Sequence, residues 1–130
     1  MPATATTIIA TTTHGTATGN YDGSSVAFQS VSAKGDGFYG YSDGLHTVSW
    51  QLTGFTGKIT IQASLVETPV DTDWFDVTLV DPAGTASGTL QTYTTESSHK
   101  AYNFTGNFVN VRASITDFTA GTINKLRFNY

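Results

Sequence analysis

The sequence has no cysteine, one methionine and three prolines. Its charged residues make up 12% of the chain, about half the usual share of ~25%. Without cysteine there can be no disulfide and no thiolate metal site. The six basic residues (Lys34, Lys58, Lys100, Arg112, Lys125 and Arg127) are scattered, and the net charge is −4. A nucleic-acid groove needs clustered cations that displace counterions, so nucleic acid is not an expected partner. No stretch approaches the ~20 apolar residues of a membrane span, and no membrane partner is expected. The opening Met1-Pro2-Ala3-Thr4-Ala5-Thr6-Thr7-Ile8-Ile9 lacks the basic start and long apolar run of a secretory signal. Synthesis in the cytoplasm without a signal peptide is therefore expected.

The polarity that charge does not supply comes from Thr, Ser, Asn and Gly. Helical spacing of apolar residues is absent, while β-branched residues and glycine punctuation favour short strands joined by turns. Val48, Trp50 and Leu52 alternate with Thr47, Ser49 and Gln51; Ile59, Ile61, Ala63 and Leu65 alternate with Thr60, Gln62 and Ser64. With Gly54-Phe55-Thr56-Gly57 between them, the two runs predict a hairpin with one buried face. Phe75, Val77 and Leu79 predict a strand closed by the turn Asp81-Pro82-Ala83-Gly84. Val109 to Thr116 and Leu126 to Tyr130 predict two more, with Ile123 out of phase, as a bulge or a late strand start would make it. Weaker candidates are Thr6–Thr13, Ser25–Ser32, Ser87–Thr95 and His99–Phe104.

About eight or nine strands with one wet face each predict an all-β antiparallel fold: two sheets packed as a β-sandwich, jelly-roll or immunoglobulin-like. At 130 residues the chain fits one domain. The β-sandwich is expected over residues 25–130. Residues 1–24 form an N-terminal strand or arm and a loop, able to order against a neighbour. Thr11–Ser25 is poor in large apolar residues and carries Gly15, Gly19 and Gly23.

Residues that carry chemistry are few. His14, His46 and His99 have no nucleophile-elbow pattern around them; His46 and His99 read as strand-edge residues with polar tips. Asp71, Asp73 and Asp76 offer oxygen ligands of the kind calcium prefers. Their spacing is not that of an EF-hand, and a solvated loop is the favoured reading. The same carboxylates suggest no glycosidase pair, which needs a cleft between acid and base. Asn103-Phe104-Thr105 matches the N-glycosylation triplet, a common coincidence in a Thr-rich chain. No catalytic residue, cofactor or resident metal is expected, and the chain reads as a binding or structural module rather than an enzyme.

The most unusual segment is Gly35-Asp36-Gly37-Phe38-Tyr39-Gly40-Tyr41-Ser42-Asp43-Gly44. Its glycines permit backbone angles closed to other residues, and it lacks the Gly-Lys-Ser/Thr of a phosphate loop. Phe38, Tyr39 and Tyr41 are candidate contacts: aromatic faces on a loop anchor a protein partner or, less favoured, stack on sugar rings. Capping the open end of the sandwich is an equal alternative to a subunit contact. Ile8 and Ile9 are candidate contacts too, through an arm Pro2–Thr13 that adds a strand to a neighbour.

Three stretches resemble small structural proteins of tailed phages, especially those of marine cyanobacteria. The first is Gly35 to Val48. The second is Gly57-Lys58-Ile59-Thr60-Ile61-Gln62-Ala63-Ser64-Leu65 with Asp73-Trp74-Phe75-Asp76-Val77. The third is Phe104 to Ala113, continued by Phe118-Thr119-Ala120-Gly121-Thr122-Ile123. The middle motif looks like a β-sandwich used on phage tails, fibres and capsid surfaces. The resemblance implies a virion structural protein made in the host cytoplasm: a capsid decoration (cement) protein, or a neck, tail or fibre component. Its partners would be major capsid or tail subunits and further copies of itself. The alternative is a carbohydrate-binding or host-recognition module that takes a surface glycan.

Overall fold

A computed structural model describes residues 5–40 and 44–130. Among these the chain forms ten strands: β1 (Thr6–Ile9), β2 (Thr12–Thr13), β3 (Phe28–Gln29), β4 (Ala33–Lys34), β5 (Leu45–Ser64), β6 (Phe75–Asp76), β7 (Leu79–Val80), β8 (Ala86–Gly88), β9 (Leu90–Thr105) and β10 (Asn110–Asn129). The antiparallel all-β class follows the alternation in the sequence. The two separate sheets do not: all ten strands belong to one hydrogen-bonded sheet. Its main order is β1-β10-β5-β9-β7-β8, with β2, β3 and β4 also on β10 and β6 on β5.

The predicted hairpin at Gly54–Gly57 is instead the middle of a single strand, β5. The chain bulges there rather than reversing, with register shifts between Leu52 and Phe55 and between Phe55 and Gly57. Extra residues in a bulge move the alternation onto the other parity while keeping one face buried. Val48, Trp50 and Leu52 are buried before it, and Phe55, Ile59, Ile61 and Ala63 after it. The neighbours bend at the same level. Thr95 in β9 and Asp117 in β10 hold positive φ angles of 47° and 51°, and β10 shifts register between Thr116 and Ala120. Gly121 nests against Gly54: a Cβ on Gly121 would lie 2.2 Å from the Gly54 carbonyl oxygen. Of the predicted strand Ser87–Thr95, Ser87 and Gly88 fall in β8, and the part from Leu90 on fuses with His99–Phe104 into β9. Most of Val109–Thr116 and Leu126–Tyr130 likewise fuses into β10. The phase break after Ile123 is a further register shift.

The aligned bulges fold the sheet over on itself. Thr47 lies opposite Asn103, which pairs with Val80, while Gln62 lies opposite Asp76. A straight strand would hold Thr47 and Gln62 ~50 Å apart. Only Val77–Leu79 lie between Asp76 and Val80, a reach of ~14 Å at most. The two ends of β5 therefore face one another across a common core. Trp50, Phe55, Ile59, Ile61, Leu79, Ile115, Phe118, Ile123, Leu126 and Phe128 fill it.

From Thr6 on, the N-terminal strand packs against the chain's own sheet. Strand β1 pairs with β10, opposing Thr6 to Phe128 and Thr7 to Arg127, and Ile8 and Ile9 are buried in the core. The contacts expected of Ile8 and Ile9 with a neighbour are thus made within the chain, because β10 offers β1 an open edge. In the glycine-rich Thr11–Ser25 segment, Tyr21 is buried against Phe28 and Phe118, and its hydroxyl accepts the Gly15 N–H at 3.0 Å.

Candidate functional site

The glycine-rich segment from Gly35 forms a single 3-10 turn, Asp36–Tyr39, ended by Gly40 in the left-handed region (φ 73°). It is strapped to the β9–β10 connection, with the Gly35 N–H donating to the Val109 carbonyl (3.0 Å) and the Gly37 N–H to the Phe108 carbonyl (2.8 Å). Only glycine allows so close an approach: a Cβ on Gly37 would lie 2.3 Å from the Asn107 carbonyl oxygen.

Beneath the turn lies a buried acid and imidazole. The Asp36 carboxylate accepts the Gly44 N–H at 2.9 Å. The Asp36 N–H points at His46 Nε2 (3.1 Å), while His46 Nδ1 lies 2.7 Å from the Gly44 carbonyl. This pattern fits a neutral ring with its proton on Nδ1, donating to Gly44 and accepting from Asp36. Phe104 and Phe128 stack on the imidazole at centroid distances of 5.0 and 5.6 Å. His46 was expected at a strand edge with a polar tip. It is wholly buried instead, because its parity in β5 matches Val48 and Trp50 and the loop backbone satisfies its nitrogens. The pair acts as a clamp that pins both ends of the loop to the end of the folded sheet. His14 is exposed and meets Phe118 edge-on at 5.4 Å; His99 is exposed on β9.

The clamp presents aromatics to solvent. Phe38 and Tyr39 are 38% and 45% exposed, and their rings meet edge to face at 5.1 Å. Tyr39 stacks on Tyr130 at 5.2 Å and 19°, and the Lys34 ammonium sits 4.7 Å above the Phe38 ring. Tyr130 also touches Phe128 (6.2 Å), so the exposed shelf is rooted in the core. The structure thus brings Phe38 and Tyr39 together, while Tyr41 lies outside the described residues. Tyr130 was missed. Its only signal was the inward parity it shares with Leu126 and Phe128.

The acidic segment is dispersed. The Asp73 carboxylate accepts the Val70 N–H (2.8 Å) and Asp76 accepts the Gln62 amide (3.1 Å). Asp71 acts electrostatically on Arg112. Among the described residues no three His, Asp or Glu side chains gather as a metal site, and Asp71, Asp73 and Asp76 do not converge. Nearby, the Arg112 guanidinium lies 4.3 Å over the Trp74 ring and donates through Nε to Gln62 (2.9 Å). Partial burial lowers the Arg112 pKa, and Asp71 opposes that shift. Trp74, Arg112, Lys34, Asn110, Asp71 and Glu67 border an open cleft of about 600 Å³.

No protein-family model matches the chain, and no curated protein matches it. Among solved structures, the fold is similar to that of the SPBc2 prophage-derived protein YomS, with a TM-score of 0.61 and 10% identity over 98% of this chain and 91% of that one. A match at TM-score 0.45 and 17% identity is to the CBM22-1–GH10 modules of Clostridium thermocellum xylanase 10B, over 82% of this chain and 20% of that one. Another, at TM-score 0.38 and 8% identity, is to the enzymatically active domain of bacteriophage CBA120 tailspike protein 4, over 98% of this chain and 18% of that one. The likeness to YomS runs nearly end to end on both chains, and what it establishes is a common fold.

Proposed function

We propose that this chain is a phage virion structural protein, a capsid decoration or a neck, tail or fibre component that binds neighbouring subunits and catalyses nothing. The carrying observation is the Phe38–Tyr39–Tyr130 shelf: partly exposed aromatic surface above the buried Asp36–His46 clamp. Rigid aromatics bury large areas at small entropic cost, which is why they dominate protein interfaces. In this reading the folded sheet works as a two-layered sandwich, and the shelf at its end docks on a capsid or tail subunit or on a second copy. The phage-like sequence motifs and the prophage origin of YomS support the assignment. So does the low charge, which leaves little stability to be screened away in salt. The protein would be made in the host cytoplasm and carried on the particle.

Light scattering on the full chain, alone and mixed with purified particles lacking it, tests the reading. Concentration-dependent self-association or saturable particle binding is expected, with loss of at least tenfold in affinity in Tyr39→Ser/Tyr130→Ser. A monomer at all concentrations that also ignores the particles would overturn it.

The Trp74–Arg112 cleft favours a second reading, a module that recognises a surface glycan. Its volume suits a small ligand, and amides, carboxylates and a guanidinium match sugar hydroxyls. A glycan array would favour this reading if one sugar class bound and Trp74→Ala abolished it.

A further inference from the structure

The outward face of the sheet around Lys125 and Arg127 carries a second feature, independent of the assembly reading. Register places Arg127 of β10 opposite Ser49 of β5, which faces Ala101 of β9. One step along, Lys125 lies opposite Gln51, which faces His99. Lys125 and Arg127 are two residues apart in one strand, so both side chains leave the same face. His99 stands two strands away, ~10 Å from Lys125 at ordinary strand spacing. Between these longer side chains the short Ser49 and Ala101 leave a hollow. Ser49, Gln51, His99, Asn124, Lys125 and Arg127 border it, at about 230 Å³, with no carboxylate in its lining.

Three observations set this hollow apart. The chain is acidic overall, yet two of its six Lys and Arg residues meet here beside a histidine. Among the described residues, the side chains of Ser49, Gln51, His99, Lys125 and Arg127 make no hydrogen bond or ion pair, whereas Lys58 is bridged to Asp117 at 2.9 Å. Like charges on adjacent positions of one sheet face repel, and among the described residues no carboxylate pairs with Lys125 or Arg127 to relieve that repulsion.

We propose that this hollow binds an oxyanion, the sulfate, carboxylate or phosphate group of an acidic polysaccharide. The Arg127 guanidinium offers a planar donor pair to two of its oxygens. Lys125 supplies a second charge, and Ser49, Gln51 and His99 supply further donors. An acidic polysaccharide fits better than nucleic acid, because the cations form one compact cluster rather than a track along a backbone.

The test titrates the full chain with sodium sulfate at constant ionic strength and follows backbone amide NMR signals. Saturable shifts confined to residues 49–51, 99–101 and 124–127 are expected, with a Kd of order millimolar. Arg127→Gln should weaken binding about tenfold, as loss of a charge-assisted pair does. Arg127→Gln/Lys125→Gln should abolish it, and Lys58→Gln, removing equal charge elsewhere, should leave it unchanged. Dextran sulfate should bind more tightly than the free ion and compete with it, while neutral dextran does neither. Shifts that are linear, spread over the surface or retained in the double variant overturn the proposal. Equal or tighter binding of duplex DNA through the same residues overturns the polysaccharide assignment.

Discussion

The indole N–H of Trp50 donates to the hydroxyl of Tyr93 at 3.0 Å, joining a residue before the bulge in β5 to one in β9 that lies opposite Gly57, beyond the bulge. Trp50 is wholly buried, so this donor has little recourse to water. Tyr93→Phe leaves it unpaired, at a cost of about 1–3 kcal/mol, read as a lower urea midpoint. Burial raises the Tyr93 pKa above its ordinary value, with Tyr102 and Glu96 adding to the shift and the Trp50 hydrogen bond opposing it. The folded state therefore keeps its proton where the unfolded chain ionises. The stabilisation is whole below the ordinary tyrosine value near 10 and is lost progressively above it. Melting temperature should fall above that pH, less steeply in Tyr93→Phe. Equal alkaline slopes in the two proteins would contradict the assignment.

The nested bulges make a sharper comparison. Gly121 holds φ 87°, and a Cβ there would strike the Gly54 carbonyl; Gly54 holds φ 58° with open space around its Cβ position. Gly54→Ala should cost about 1–2 kcal/mol, the strain of a left-handed alanine. Gly121→Ala adds a backbone collision and should cost at least ~3 kcal/mol. Denaturation midpoints that rank the two the other way would rule out the folded corner.

How much of this was legible follows from where the information lies. The inward faces of β5 and β10 were plain from Val48-Trp50-Leu52, Ile59-Ile61-Ala63 and Val111-Ala113-Ile115, because alternation is local. The choice between reversal and bulge at Gly54 was not, since both shift the parity in the same way. It is settled by Asp117 and Gly121, some sixty residues away, bending at the same level. His46 was misread because its residue type outweighed its parity in the pattern. Phe38 and Tyr39 were legible as loop aromatics, whereas their partner Tyr130 needed the register of β10. The basic residues look scattered along the chain, and only the pairing of Gln51 with both Lys125 and His99 brings Lys125 and Arg127 beside that imidazole.

The loop after Tyr21 should report on acid. The Asp22 carboxylate accepts the Ser25 hydroxyl and the N–H groups of Ser25 and Ser24, and these bonds lower its pKa to about 2. A depressed carboxyl pKa contributes stability that is present above the unfolded value of 3.8 and disappears as pH falls toward about 2. NMR titration should place the Asp22 midpoint well below the ordinary carboxyl value of 3.8, with Ser24 and Ser25 amide exchange accelerating in step. A midpoint near 4 without that acceleration would refute the cap.

The last prediction separates the clamp from the shelf it carries. Asp36 is buried and its carboxylate takes the Gly44 N–H, so Asp36→Ala strands a donor inside the fold at about 1–3 kcal/mol. Tyr39→Ser changes a side chain already 45% exposed and should alter stability by no more than about 1 kcal/mol. Association should respond in the opposite proportion. Tyr39→Ser removes aromatic contact area outright, whereas Asp36→Ala keeps every shelf ring and loses affinity only as the turn loosens. If the clamp works by presentation, lowering the temperature should restore much of the binding of Asp36→Ala and none of that of Tyr39→Ser. Parallel losses in both variants at every temperature would mean that Asp36 holds up the whole sheet end rather than positioning the aromatics.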